Sequence, residues 1–425
     1  MSLAMAARGA APARAPSRAT FVDVLEALGS GLVLLLMAET VLPHLAMGIE
    51  PSESTDVLRL LWPPAYALIL IGVAARLSRF GSIWLAVALT APILLLALAS
   101  TQWSLVPDVT IRRAVALIFT SLFGFYLAAR FSWRGLLELV AAVFVILALG
   151  SYLASLAVPS LGVHDDLHAG AWRGLWVQKN ALGGTMVRGV LACLCAAALA
   201  PQRRVWWWAA ALLCAGLVIA STSTTALLGL FVVVAGLMAL AVVRKGGLGA
   251  VAMVWLVLLG LVAVGAVFAV APEAFFEVVG KDATLTGRTD IWTSLLRAAA
   301  ERPLLGYGYS GFWSAEQGPA AWVRAEVEWD VPSAHNGWLD TLIQLGWVGV
   351  AVLSLHFVVN LLAAGWRTWK GPEVYWALPS TLVLALFSVS ESAFLEQNSM
   401  TWVLYVATFA KLLQDTAAPP GEARL

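Results

Sequence analysis

Apolar runs long enough to cross a bilayer recur from one end of this chain to the other. A spanning helix needs about 20 largely apolar residues, and about twelve such runs occur. They centre near Leu35, Leu68, Leu94, Leu117, Phe144, Leu191, Leu212, Val232, Leu256, Val352, Leu384 and Val406. Backbone polar groups in hydrocarbon must be satisfied within the segment, and these runs are too long for barrel strands, so they must be helices. The expected fold is an all-α polytopic membrane protein with about 12 transmembrane helices. Composition agrees: 61% of the 425 residues are hydrophobic and 12% charged, against about half and a quarter in a soluble domain. The net charge of +1 argues against a nucleic-acid partner. Cys193, Cys195 and Cys214 sit inside apolar runs and read as small core residues. Pro92 lies inside the third run, where neighbouring helices can accommodate a kink.

Orientation follows from Lys and Arg in the connections. With the N-terminus in the cytoplasm, alternate connections hold Arg76 and Arg79, Arg130 and Arg134, Arg203 and Arg204, Arg244 and Lys245, and Arg367 and Lys370. The C-terminal tail adds Lys411 and Arg424. Every connection assigned to the inside carries a basic pair, so both termini are expected there. Trp206, Trp207 and Trp208 follow one of these pairs and read as an aromatic belt. The expected map has five parts: a disordered cytoplasmic tail over 1–22, helices 1–9 over 23–271, a periplasmic loop with amphipathic helices over 272–334, helices 10–12 over 335–414, and a cytoplasmic tail over 415–425.

The large outer loop carries Lys281, Arg288, Arg297, Arg302 and Arg324. Long loops escape the positive-inside rule, so the topology stands, but the arginines ask for a reason. Within the loop, "TGRTDIWTSLLRAAAERP" reads as an amphipathic helix, with Thr286 or Thr289 as its cap and Pro303 ending it. Ile291, Leu295, Ala298 and Ala299 recur on one face. Arg288 falls in the first turn, where the helix dipole disfavours a cation, which points to an anion nearby; the bland alternative is a solvated loop arginine.

"SAHNGWLDTLIQLGWVGV" puts a His-Asn pair ahead of an apolar helix. Ser333 is the expected N-cap, with His335 in the first turn. The helix dipole opposes protonation there, so His335 is suited to accept a proton, while the free N–H groups suit a phosphate. Taken alone, an interfacial histidine bonded to water is the commoner explanation.

Other motifs carry less. "GYGYSG" over 306–311 fits a dinucleotide-loop spacing, but no strand precedes it, so a glycine-aromatic turn is expected. "HDDLH" over 164–168 offers metal-ligand types, yet such a set in an exposed loop is usually solvated. Glu50, Glu53 and Asp56 make the first outer loop acidic and are reserve candidates for a base. Glu391 stands near the outer end of a span, where a carboxylate is a functional candidate.

The run "LTGRTDIWTSLLRAAAERPLLGYGYSGFW", followed after a variable stretch by "AHNGWLDTLIQLGWVGV", resembles the signature of the O-antigen ligase and polymerase superfamily. "GLWVQKNALGG" resembles that family's Lys-Asn motif after the fifth span. The resemblance is greatest to exopolysaccharide polymerases of the succinoglycan type. It implies a GT-C type, multispan glycosyltransferase with a large periplasmic loop between helices 9 and 10. Such an enzyme is metal-independent and inverting, and needs no cofactor. It implies a bacterial inner-membrane protein with its active site facing the periplasm.

The implied donor is an undecaprenyl-diphosphate-linked glycan. The implied acceptor is a second lipid-linked glycan for a polymerase, or lipid A core for a ligase. Membrane lipids and a chain-length regulator are the further partners to test. Carried over residue by residue, the family's loop arginine falls on Arg288 and its histidine on His335. Lys179 and Asn180 match the Lys-Asn motif. Arg173 and Arg188 both lie close enough to be the arginine beside it. Asn336 is left to bind sugar hydroxyls or cap the helix. The arginines suit a departing diphosphate, whose oxygens a guanidinium fork grips, and a base suits a sugar hydroxyl, a poor nucleophile. Trp292, Trp313, Trp322, Trp329 and Trp338 offer faces for sugar rings. A transporter or flippase is the alternative of another class, but it would favour related halves and charges at mid-membrane.

Overall fold

The computed structural model describes residues 20–47, 56–165, 168–270, 288–328 and 330–414. The N-terminal tail to residue 19, Glu50, Glu53, Lys281, Thr286, Trp329 and the tail from 415 lie outside the described residues. The helices are α1 (Phe21–Leu36), α2 (Leu42–Met47), α3 (Trp62–Ala75), α4 (Trp84–Ala99), α5 (Pro107–Arg130), α6 (Trp133–Ala157), α7 (Pro159–Gly162) and α8 (Lys179–Leu199). They continue with α9 (Arg204–Ala220), α10 (Thr224–Lys245), α11 (Gly247–Val270), α12 (Arg288–Glu301), α13 (Pro319–Glu326), α14 (Gly337–Trp366), α15 (Val374–Ser390) and α16 (Met400–Leu413). Among the described residues the only strand-like feature is an isolated bridge between Val163 and Trp172.

Eight of the described helical segments are long and apolar enough to cross a membrane, so the chain is a multi-pass membrane protein. The expected spans of similar length are not all present. Helices α1, α15 and α16 have 16, 17 and 14 residues, or roughly 21–26 Å at 1.5 Å per residue, which is short of the hydrocarbon core. Non-helical backbone at membrane depth is tolerated where it is buried in protein or lines a polar cavity. The segments that follow α1 and α15 do line one.

The connections with basic pairs meet at one end of the bundle. Glu26 in α1 accepts from Arg76 and Arg130. Glu138 in α6 is paired with Arg134 and, at 3.4 Å, with Arg203. The Lys411 ammonium donates to the Phe131 carbonyl at 2.9 Å, and Arg244 donates to the carbonyls of Thr368 and Gly371. The buried Arg130 and Lys411 thus meet a carboxylate and a carbonyl among apolar helices, whereas Arg134 and Arg203 stay exposed. Helix α8 is the hub, packing on α6, α9, α10 and α15.

At the opposite end, the large loop is sewn into a break in α14. Gly346 has φ +64°, which splits that helix in two. The break frees backbone groups that the loop satisfies. The N–H groups of Trp347 and Val348 donate to the carbonyls of Pro303 and Leu304 at 2.8 and 3.2 Å. The N–H groups of Tyr307 and Gly308 donate to Ile343 and Gln344 at 3.0 and 2.9 Å. Gly306 and Gly308 take positive φ, as the glycine-aromatic turn requires. The loop thus has a fixed register on α14 and carries α12 with it; Ile291, Leu295, Ala298 and Ala299 of α12 are buried against its neighbours.

A Cβ at residue 346 would lie 2.2 Å from the Leu304 backbone. Gly346→Ala should therefore lower stability by more than about 2 kcal/mol, read as a drop in melting temperature in detergent together with faster proteolysis of the 302–318 stretch. Wild-type melting would contradict this account of the break.

Candidate active site

A cavity of about 630 Å³ opens between the outer half of α8, the turn after α1, the segment after α15 and the approach to α14. Asn180, Gly184 and Arg188 stand four residues apart along one face of α8 and line it. Arg188 therefore sits roughly 12 Å deeper than Asn180 along the helix axis. Gly184 is necessary because a Cβ there would come within 2.8 Å of the Phe387 ring. That ring in turn carries the Arg188 guanidinium, 5.9 Å from its centroid.

The turn over 37–41 is tied down on both sides. The Met37 carbonyl accepts from the Met400 N–H at 2.7 Å, and Val41 N–H donates to Leu175 at 2.8 Å. The Trp176 indole donates to the Ala38 carbonyl at 2.8 Å. Between these anchors Glu39 takes φ +57° and lines the cavity. A non-glycine residue there costs on the order of 1 kcal/mol and persists only when its surroundings fix it.

The segment 391–399 is held in the same manner. Asn398 N–H donates to Thr120 at 2.8 Å, its side chain accepts from the Tyr66 hydroxyl at 2.8 Å, and the Tyr309 hydroxyl donates to the Leu395 carbonyl. These anchors place Glu391, Glu396 and Ser399 on the cavity wall.

The approach to α14 corrects one expectation. Asn336, not Ser333, is the N-cap; its carboxamide oxygen accepts from the N–H groups of Trp338 and Leu339 at 3.0 and 3.1 Å. His335 is therefore not in the first turn. It precedes the cap with φ +47°, a conformation that turns its side chain away from the helix and into the cavity. Asn336, three residues after Ser333, carries the same capping chemistry, and sequence alone does not separate the two caps.

Arg288 and His335 share this cavity. Both face Glu391, the first residue past α15: Arg288 Nη2 is 3.4 Å from one carboxylate oxygen, and His335 Nδ1 is 3.7 Å from the other. Deeper in, Arg188 stands within electrostatic reach of Glu39 and Glu396, and Ser399 lines the same wall. The buried Arg188 Nε has no hydrogen-bond partner within the protein.

The other expected site residues lie off this wall. Arg173 donates to the carbonyls of Leu161 and Ser160 at 2.9 and 2.8 Å. Lys179 begins α8 beside wall residues Gln178 and Asn180. Asn336 caps α14 and donates to Val389 at 3.3 Å. His168 reaches the cavity, and its ring lies edge-on to His164 with centroids 5.8 Å apart. Among the described residues no three His, Cys, Asp or Glu side chains converge on a metal-sized site. Trp292 and Trp313 donate their indole N–H groups to Ala334 and Asp340. The sequence reading passed over Glu39 and Glu396; the available signal was a lone carboxylate at the outer end of the first and last apolar runs.

Residues 209–354 match the O-antigen ligase family Wzy_C. That stretch, about a third of the chain, is similar to the O-antigen ligase and polymerase superfamily. The matched stretch contains Arg288 and His335, whereas Arg188, Glu39, Glu391 and Glu396 lie outside it. The chain is also similar to the exopolysaccharide production protein ExoQ of Rhizobium meliloti (strain 1021). The two are 27% identical over 254 residues, covering 58% of this chain and 50% of ExoQ. The chain thus spans half the length of that curated relative.

Proposed function

We propose that the chain is a glycan polymerase of the bacterial inner membrane. It transfers an undecaprenyl-diphosphate-linked oligosaccharide to a lipid-linked acceptor, at a periplasm-facing site and without a metal. The basic-pair end of the bundle then faces the cytoplasm, as do both termini. The observation that carries this reading is the meeting of Arg288 and His335 on Glu391 in one cavity. A guanidinium and an imidazole from distant parts of the chain are the pair that such a transfer needs.

The donor diphosphate takes on negative charge as its bond to the anomeric carbon breaks. Arg288 and Arg188 are the groups assigned to that charge, because a planar fork grips phosphate oxygens and Arg188 keeps an unused N–H. Asn180 and the free N–H groups at the α8 N-terminus support the same anion. The acceptor hydroxyl gives its proton to His335, while Glu391 orients the imidazole through Nδ1 and steadies the imidazolium that forms. Attack from the face opposite the departing diphosphate inverts the anomeric centre. Glu391 also neutralises Arg288 until a phosphate takes its place.

The family description favours a second reading, transfer to lipid A core by a ligase. Similarity to an exopolysaccharide production protein favours the polymerase. Surface polysaccharide from a deletion strain separates them: single repeat units left on lipid mark a polymerase, and long unattached chains mark a ligase.

With purified chain and lipid-linked repeat units, His335→Ala should reduce turnover about 10²- to 10⁴-fold, and Arg288→Ala should reduce it similarly. Arg188→Ala should weaken donor binding about tenfold more than Arg173→Ala, because only Arg188 lines the cavity. Normal turnover by His335→Ala, measured as release of undecaprenyl diphosphate, would overturn the proposed chemistry.

A further inference from the structure

Asp340 lies in the first turn of α14 and is 5% exposed. It does not line the cavity, yet its carboxylate joins the two segments that do. One oxygen accepts from the Ala334 N–H at 3.1 Å, the residue before His335. The other accepts from the Ser392 hydroxyl, the residue after Glu391. The first oxygen also takes the Trp313 indole N–H at 2.7 Å, which brings in the large loop. Ala334 is held on its other side by the Trp292 indole of α12, at 2.9 Å from its carbonyl. The segments approach closely here: a Cβ on Gly337 would come 3.0 Å from the Phe394 ring.

We infer that Asp340 is the positioning residue of the proposed active site, fixing the separation of His335 and Glu391 through its two carboxylate oxygens. The inference rests on the reading in which those two residues act in transfer. The geometry makes the assignment specific. Two chain segments are pinned to two oxygens of one rigid, planar group, one residue away from each functional side chain. His335 has a backbone conformation that its own sequence does not favour, so an outside constraint must hold it. Asp340 supplies one to the preceding peptide. A carboxylate suits a helix N-terminus for stability as well, so the test must separate positioning from folding.

The test uses purified full-length chain in nanodiscs, with lipid-linked oligosaccharide extracted from the deletion strain as substrate and release of undecaprenyl diphosphate as the readout. Asp340→Asn keeps an acceptor for Ala334 and Trp313, and the Ser392 hydroxyl can turn to accept from the new amide; kcat should stay within about threefold. Asp340→Ala should lower kcat about 100-fold, the effect of a misplacement near 1 Å. The donor KM should change by less than about twofold, because Asp340 bonds to neither arginine. Should Asp340→Ala fail to fold, Ser392→Ala decides: it removes only the Glu391-side link and should lower kcat about tenfold. Trp313→Phe, which removes only the loop link, should leave kcat within about threefold. The inference is overturned if Ser392→Ala keeps wild-type kcat, if Asp340→Asn is as damaged as Asp340→Ala, or if the loss appears in KM alone. His335→Ala, run alongside, distinguishes the two failures. An inactive His335→Ala beside an undamaged Asp340→Ala overturns the positioning role alone. An active His335→Ala overturns the transfer chemistry itself.

Discussion

The structure depends on the need to satisfy every backbone N–H and C=O in an apolar surrounding. Where helices run unbroken, they meet it themselves. Where α1 and α15 stop short and α14 breaks at Gly346, other parts of the chain supply the missing partners. Met400 serves Met37, Trp176 serves Ala38, and the 303–308 stretch serves both sides of the α14 break. A cavity at that depth is tolerated where such partners replace the missing helical ones.

The same constraint brings the charged groups together. Glu39, His335 and Glu391 all lie just outside helices, and Glu39 and His335 take positive φ. Irregular backbone lets a short segment aim a side chain across the helix direction, which a regular helix at that position would not. Arg188 is the complementary case, a regular helix residue that reaches the cavity because Gly184, one turn earlier, lets Phe387 come close. Asp340 then ties two of the irregular segments to one carboxylate. The cavity is thus organised as two charged centres, an outer one around Glu391 and a deeper one around Arg188.

How much of this was legible depended on whether a feature was local. The helix over 288–301 followed from its apolar spacing and its proline stop, and the turn over 306–311 followed from its glycines. Arg288 was a candidate from its place in the first turn of its helix and both Arg288 and His335 from motif resemblance, although the first-turn position expected of His335 was wrong. The cap of α14 was misassigned because Ser333 and Asn336 carry equivalent capping chemistry and only the chain path chooses. Arg173 and Arg188 were indistinguishable for a related reason: both lie near the Lys-Asn motif in sequence, but Arg173 turns back onto its own loop while Arg188 looks inward. Glu39 and Glu396 were passed over because they belong to different ends of the chain and acquire meaning only from Ser399 and Arg188 between them.

By itself the sequence determined that this chain is a multi-pass helical membrane protein with a basic-rich large loop, because hydrophobic length and periodicity are properties of contiguous residues. Only the tertiary structure decided that residues 39, 188, 288, 335, 391 and 396 surround one cavity. Those positions come from five separate stretches of chain, and their approach is set by where helices end and which carbonyls catch the freed N–H groups. That is a property of packing, which no local window contains.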